Sequence, residues 1–151
     1  MKIIAHRGLV DGPNKKLENE PSSIMIALDM GFDVEIDVNY CNKRWMLGHD
    51  APVHPVDIEF LLQPGLWLHV KNLAAMLALS TYDVNYFWHQ EDDYTLTSKG
   101  YIWTYPGKQL THKSVCVLPE WQDTKLINLP KHCYGICSDY VSDAAFQKFY
   151  K

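Results

Sequence analysis

Glu35 and Asp37 stand two residues apart inside the run GFDVEIDVNY. In an extended strand residues at i and i+2 project from one face, so both carboxylates point the same way within a frame of Val34, Ile36 and Val38. Two like charges at that spacing repel, and a divalent cation with oxygen ligands relieves the repulsion most simply. A polar turn at Asn42 and Lys43, a return strand over 45–47 and then Gly48-His49-Asp50 fold His49 back toward the same strand end. His6 and Arg7 end the first apolar run, His69 and Lys71 end another, and His89, Glu91, Glu120 and Asp139 follow later ones. Together these residues supply imidazoles for proton transfer, paired carboxylates for a metal, and Arg7 and Lys71 as partners of an anion. That inventory suits cleavage of a phosphate ester.

The elements that must position these groups alternate short strands with short helices. The pattern predicts strands over 2–6, 32–40, 45–47, 66–70, 86–89, 101–105, 114–118 and 135–138. Helices are expected from Pro21 to Gly31, over 56–62 and over 72–80, with a closing helix capped by Ser142 that buries Ala145, Phe146 and Phe149. Pro52 and Pro55 mark a loop, and a single turn is expected around Leu96. Strands joined by helical crossovers imply a mostly parallel sheet, whose C-terminal edge is where loops build active sites. A full eightfold barrel needs about 250 residues, so 151 residues predict a reduced or distorted one. An open doubly wound sheet is the alternative, but no glycine-rich nucleotide loop follows the first strand.

One domain's worth of chain with 47% apolar and 13% aromatic residues can fill a core, and 1–151 is read as a single domain. The net charge of -4 comes without a basic stripe, which argues against nucleic acid or an anionic membrane as partner. Met1-Lys2 runs directly into the first apolar strand, no stretch reaches membrane-spanning length, and the expected compartment is the cytoplasm. Cys41, Cys116, Cys133 and Cys137 contain no C-x-x-C pair and are read as reduced thiols; the spacing of His132, Cys133 and Cys137 fits no common zinc site.

His6-Arg7-Gly8, Leu17-Glu18-Asn19-Glu20, Glu35-x-Asp37-Val38 and His49-Asp50, in that order, resemble the signature of the glycerophosphodiester phosphodiesterase family (HRG, PENT, E-x-D-V, HD). The ending Gly135-Ile136-Cys137-Ser138-Asp139-Tyr140 is similar to that family's last strand. The resemblance is dense over 2–50, sparse to Lys71 and weak from there to the final strand. It implies a phospholipase C-like TIM barrel, a bound divalent cation (Mg or Ca), and a small soluble glycerophosphodiester-like substrate. Carried onto this chain, His6 and His49 become the acid/base pair, Arg7 and Lys71 contact the phosphate, and Glu35 and Asp37 hold the metal. A substrate hydroxyl beside the phosphodiester is the family's first nucleophile, and a cyclic phosphate is then opened by water.

The chain leaves the pattern at two places. His69 stands where the family has a third metal carboxylate, so either His69 binds the metal, with Mn then possible, or Glu120 or an acidic side chain of 91–93 reaches in, or the metal is weakly held. His69 as a hydrogen-bond donor to phosphate is the competing role. Leu17 and Glu20 replace Pro and Thr in the second motif. Two further functions stay open: a related phospholipase of the lyase type that releases the cyclic phosphate, and a catalytically silent domain that binds a phosphorylated ligand.

Overall fold

The apolar runs become strands buried on both faces, as central strands of a parallel sheet must be. In the computed structural model, which describes residues 1–149, these are β1 (Lys2–His6), β2 (Asp33–Cys41), β3 (Arg44–Leu47), β4 (His54–Val56), β5 (Leu66–Val70), β6 (Tyr86–Phe87), β7 (Tyr94–Leu96), β8 (Ile102–Thr104), β9 (Ser114–Val117) and β10 (Gly135–Ser138). Helices are few and short: α1 (Pro21–Asp29), α2 (Ile58–Leu61), α3 (Leu73–Leu79), and 3-10 turns at Pro119–Trp121 and Ala144–Phe149. The chain forms a mixed α/β structure around a curled, eight-strand half-barrel path, β4-β3-β2-β1-β10-β9-β8-β7, with β5 on β2 and β6 on β5.

The parallel core runs β6-β5-β2-β1-β10-β9-β8, and its registers set the site. Ala5 pairs with Ser138, His6 with Glu35 and Asp37 with His69, so the polar strand ends line up side by side. β5 accompanies β2 along one edge from Val34 to Val38. β1 therefore lies on the other edge, and where it stops at His6 the same edge is taken over by β3, whose Leu47 pairs with Val38. The chain leaving β3 thus begins just beyond His6.

Period-two alternation sorts the two faces. Ile3, Ala5, Val34, Ile36, Val38, Leu66, Leu68 and Val70 join Ile24 and Ala27 of α1 and Ala75 and Leu79 of α3 in an outer core. Ile4, Trp67, Phe87, Trp103, Val115, Val117 and Cys137 fill the inner face. On that inner face the next positions along β1, β2 and β5 are His6, Glu35 with Asp37, and His69. α1 is positioned by its cap: Glu20 accepts the Ser23 N–H at 2.9 Å and Pro21 opens the first turn. It buries Ile24 completely, a contribution of about 1.5–3 kcal/mol.

Several boundaries differ from the sequence expectation. Residues 54–56 are a strand, because β4 is an edge strand and Pro55 needs no N–H there. That shortens the expected helix over 56–62 to Ile58–Leu61. The turn expected around Leu96 is β7, antiparallel to β8; a five-residue connection allows a hairpin and has no room for a helical crossover. The strand expected to His89 ends at Phe87. The closing helix is a 3-10 segment, with Phe146 buried and Ala145 and Phe149 only partly so, and the Ser142 hydroxyl donates to the Val10 carbonyl instead of capping it. Among the described residues no helix is long and apolar enough to cross a membrane.

Candidate active site

Glu35 and Asp37 are buried in the first half of β2, along the stretch that pairs with β5, and His69 faces them from β5. His69 Nδ1 lies 3.3 Å from Glu35 Oε1 and 3.3 Å from Asp37 Oδ1. Among the described residues this is the one group of three or more acidic, His or Cys side chains whose ligand atoms converge enough to hold a metal ion, all lying within 4.8 Å of one another.

Each carboxylate has one oxygen tied up and one left facing His69. Asp37 Oδ2 accepts Asn19 Nδ2–H at 2.8 Å and lies 3.1 Å from Arg7 Nε, while the Asp37 N–H donates to Asn19 Oδ1 at 2.8 Å. Asp37 Oδ1 is fully buried and accepts no hydrogen bond from the described residues; Lys71 Nζ stands 3.8 Å away. A buried carboxylate oxygen left without a donor is costly unless a cation takes its lone pairs. Glu35 Oε2 accepts the Arg7 backbone N–H at 3.2 Å, and His6 Nε2 is 3.9 Å from it. Burial would raise the pKa of Glu35, but the His69 contact and the charges of His6, His69 and Arg7 outweigh it and hold the group at about 2. The site therefore keeps an anionic floor at neutral pH.

The second motif positions this floor one residue at a time. Glu18 Oε2 accepts from Arg7 Nη1 at 3.1 Å, Asn19 clasps Asp37, and Glu20 caps α1. Burial opposes the charge on Arg7, yet Asp37, Glu35 and Glu18 raise its pKa further. Arg7 sits in the left-handed region (φ 53), from which its carbonyl receives the Asn19 N–H at 2.8 Å. Gly8 follows at φ 77, and a Cβ there would meet Ile24 at 3.0 Å, so only glycine lets α1 approach the loop.

Both candidate catalytic histidines have Nδ1 committed to a carboxylate. His6 Nδ1 is 2.7 Å from Asp139 Oδ1, and His49 Nδ1 is 2.7 Å from Asp50 Oδ1. A carboxylate only accepts, so in each ring Nδ1 carries a proton, and Nε2 of the neutral form is the free base. Burial lowers the pKa of His6, but the Asp139 hydrogen bond and the charges of Glu35 and Asp139 overcome it and raise the net value. His49 is held by the turn at Gly48 (φ 146), where a Cβ would lie 1.9 Å from the Ala51 carbonyl.

His6, Arg7, Glu35, His49, His69 and Lys71 line one cavity of about 710 Å³. Its far wall is apolar, from Trp103, Tyr105, Val117, Leu118 and Trp121, and the 89–92 loop forms its rim. Glu91 and Asp92 belong to that rim and do not join the Glu35–Asp37–His69 group. Glu120 is placed elsewhere: its buried carboxylate accepts the Ser138 hydroxyl at 3.0 Å and the Asp139 N–H at 2.9 Å. The structure thus does not bring Glu120 to the metal position; it makes Glu120 the support of Asp139. The sequence reading gave no role to Asn19, Asp139 or the aromatic wall. The LENE and GICSD motifs were the signals available for the first two.

Compared with family models, curated proteins and solved structures, the chain matches none.

Proposed function

We propose that this chain is a metal-dependent phosphodiesterase acting on a small, glycerophosphodiester-like molecule, built on a reduced phospholipase C-like barrel. One observation carries the reading: two imidazoles, each with Nδ1 anchored by a carboxylate, line the same cavity as a buried Glu35–Asp37–His69 cluster that lacks a donor on Asp37 Oδ1. The ordered motif resemblance supports it independently.

In this reading Arg7 and Lys71 face the phosphoryl group. Nε and Nη1 of Arg7 are turned to Asp37 and Glu18, which orients the guanidinium and leaves Nη2 for a phosphoryl oxygen. His49 removes the proton from the substrate hydroxyl beside the phosphodiester, whose oxygen then attacks phosphorus. His6, which Asp139 favours in its protonated form, gives a proton to the departing alkoxide. A cyclic phosphate and a free alcohol result, and with the roles reversed His6 activates the water that opens the ring. A divalent cation (Mg, Ca or Mn) held by Glu35, Asp37 and His69 would supply electrostatic stabilisation of the phosphoryl oxygens. The cavity volume and its apolar wall favour a compact alcohol moiety.

The test is turnover of glycerophosphodiesters, which carry the hydroxyl that the reaction needs, by the full chain, with and without EDTA, followed by phosphorus NMR. Chelator-sensitive release of a monoester is expected. Accumulation of a cyclic phosphate alone would assign the lyase type, and phosphate-ester binding without turnover would assign the silent domain.

A further inference from the structure

We infer that the Glu35–Asp37–His69 site is built for a divalent transition ion of the manganese or zinc class, with His69 Nδ1 as a direct ligand. The inference rests on the cation-binding part of the proposed function alone and not on the reaction.

The argument begins with the imidazole. His69 Nε2 lies 2.8 Å from the His89 carbonyl oxygen, which can only accept, so the proton of the neutral ring is on Nε2. The ring also stacks on Phe87, with centroids 5.0 Å apart and planes 16° apart, which fixes the direction of Nδ1. Nδ1 therefore presents a lone pair to Glu35 Oε1 and Asp37 Oδ1, both at 3.3 Å. In the neutral ring that lone pair, aimed at two carboxylate oxygens, is repulsive, so the three atoms need a positive centre among them: a proton on Nδ1, as in the ion pairs that hold Glu35 anionic, or a cation that takes its place. The fully buried, donorless Asp37 Oδ1 points to the same place. A ligating histidine whose other nitrogen donates to a backbone carbonyl is the usual outer-shell arrangement of a metal site.

The same geometry removes the competing role. As a phosphate donor His69 would need an N–H directed at the substrate, but Nε2–H is spent on His89 and Nδ1 faces the carboxylates. What remains is two anionic oxygens and one neutral nitrogen. Two carboxylates balance a divalent charge, while the imidazole shifts preference away from Mg and Ca, which take oxygen ligands, toward first-row transition ions.

Metal-free full-length protein would be titrated with MnCl₂, ZnCl₂ and MgCl₂ by calorimetry, and His69 would be followed by two-dimensional ¹H–¹⁵N spectra during the zinc titration. One equivalent of zinc should shift His69 Nδ1 strongly and leave the Nε2–H resonance in place. In His69→Glu the Mn-over-Mg affinity ratio should fall, because all three ligands are then anionic oxygens. An unmoved His69 Nδ1, or zinc shifts on His6 and His49 instead, would overturn the assignment, as would an unchanged ratio in a folded His69→Glu variant. The spectra of the native chain decide even if that variant does not fold. Tight binding through His69 without turnover would remove the proposed reaction and leave this inference standing.

Discussion

His6 and Asp139 are 133 residues apart, yet their side chains meet at 2.7 Å because β1 and β10 pair in parallel with Ala5 opposite Ser138. The next residue on each strand carries one half of the dyad. Burial pulls the pKa of His6 down and Asp139 pushes it up, with a net rise. In metal-free Asp139→Asn protein the pKa of His6, read by histidine NMR, should fall. Stability follows with a definite sign. A raised folded-state pKa stabilises most below the unfolded value of about 6.5 and loses its effect as pH rises through the folded value. The charge-dependent part of the gap between native and Asp139→Asn should therefore be largest in mild acid and shrink toward alkaline pH. An unmoved His6 titration would show that the contact does not govern its proton.

This dyad also marks where the sequence stops being legible. The alternation in 32–40 places Glu35 and Asp37 on one face from local spacing alone, and strand geometry then delivers them there. Helix α1 was equally readable, since Pro21, Ile24, Ala27 and Gly31 specify start, face and end locally. The pairing of the first strand with the last is set by long-range packing, so Asp139 could be seen as a strand-exit acid but not as the partner of His6. Pro55 misled because its preference against strands holds for central positions, and β4 is an edge. Glu120 looked like a spare carboxylate because nothing in the sequence shows that Ser138 and the Asp139 N–H would occupy it.

His6→Ala and His49→Ala should each reduce phosphodiester turnover by roughly 10²–10⁴-fold, the usual worth of a general acid or base. The two should differ in stability. His6 is tied to a buried network and its loss strips a partner from Asp139, whereas His49 touches the exposed Asp50 at the cavity mouth. Circular dichroism melts should show little change for His49→Ala. A rate near that of the native chain in either variant would end its assignment as acid or base.

Asn19→Ala tests how Asp37 is held. The substitution removes the Nδ2–H donor from Asp37 Oδ2 and the Oδ1 acceptor from the Asp37 N–H, both at 2.8 Å in the interior. Leaving such groups unpaired costs about 1–3 kcal/mol, visible as a lower denaturant midpoint. Metal affinity should drop by roughly 10–100-fold, as when other outer-shell partners are lost. Unchanged calorimetric affinity would mean that the floor keeps its geometry without the clasp.

Glu120 separates support from ligation. Its carboxylate accepts from Ser138 and from the Asp139 backbone, and burial raises its pKa from its ordinary value. A folded pKa above the unfolded one stabilises most in acid, and that contribution is lost as pH rises through the folded value. Glu120→Gln keeps an oxygen for the Asp139 N–H and abolishes the titration, so its stability should lose the part of the pH dependence that Glu120 gives the native chain. Glu120→Ala leaves two buried donors without an acceptor and frees Asp139, so it should lower both stability and the pKa of His6. Neither variant should alter metal affinity, whereas Glu35→Gln removes a ligand. Calorimetry with Mn on all three decides the matter: loss of binding in Glu120→Gln equal to that in Glu35→Gln would return Glu120 to the metal.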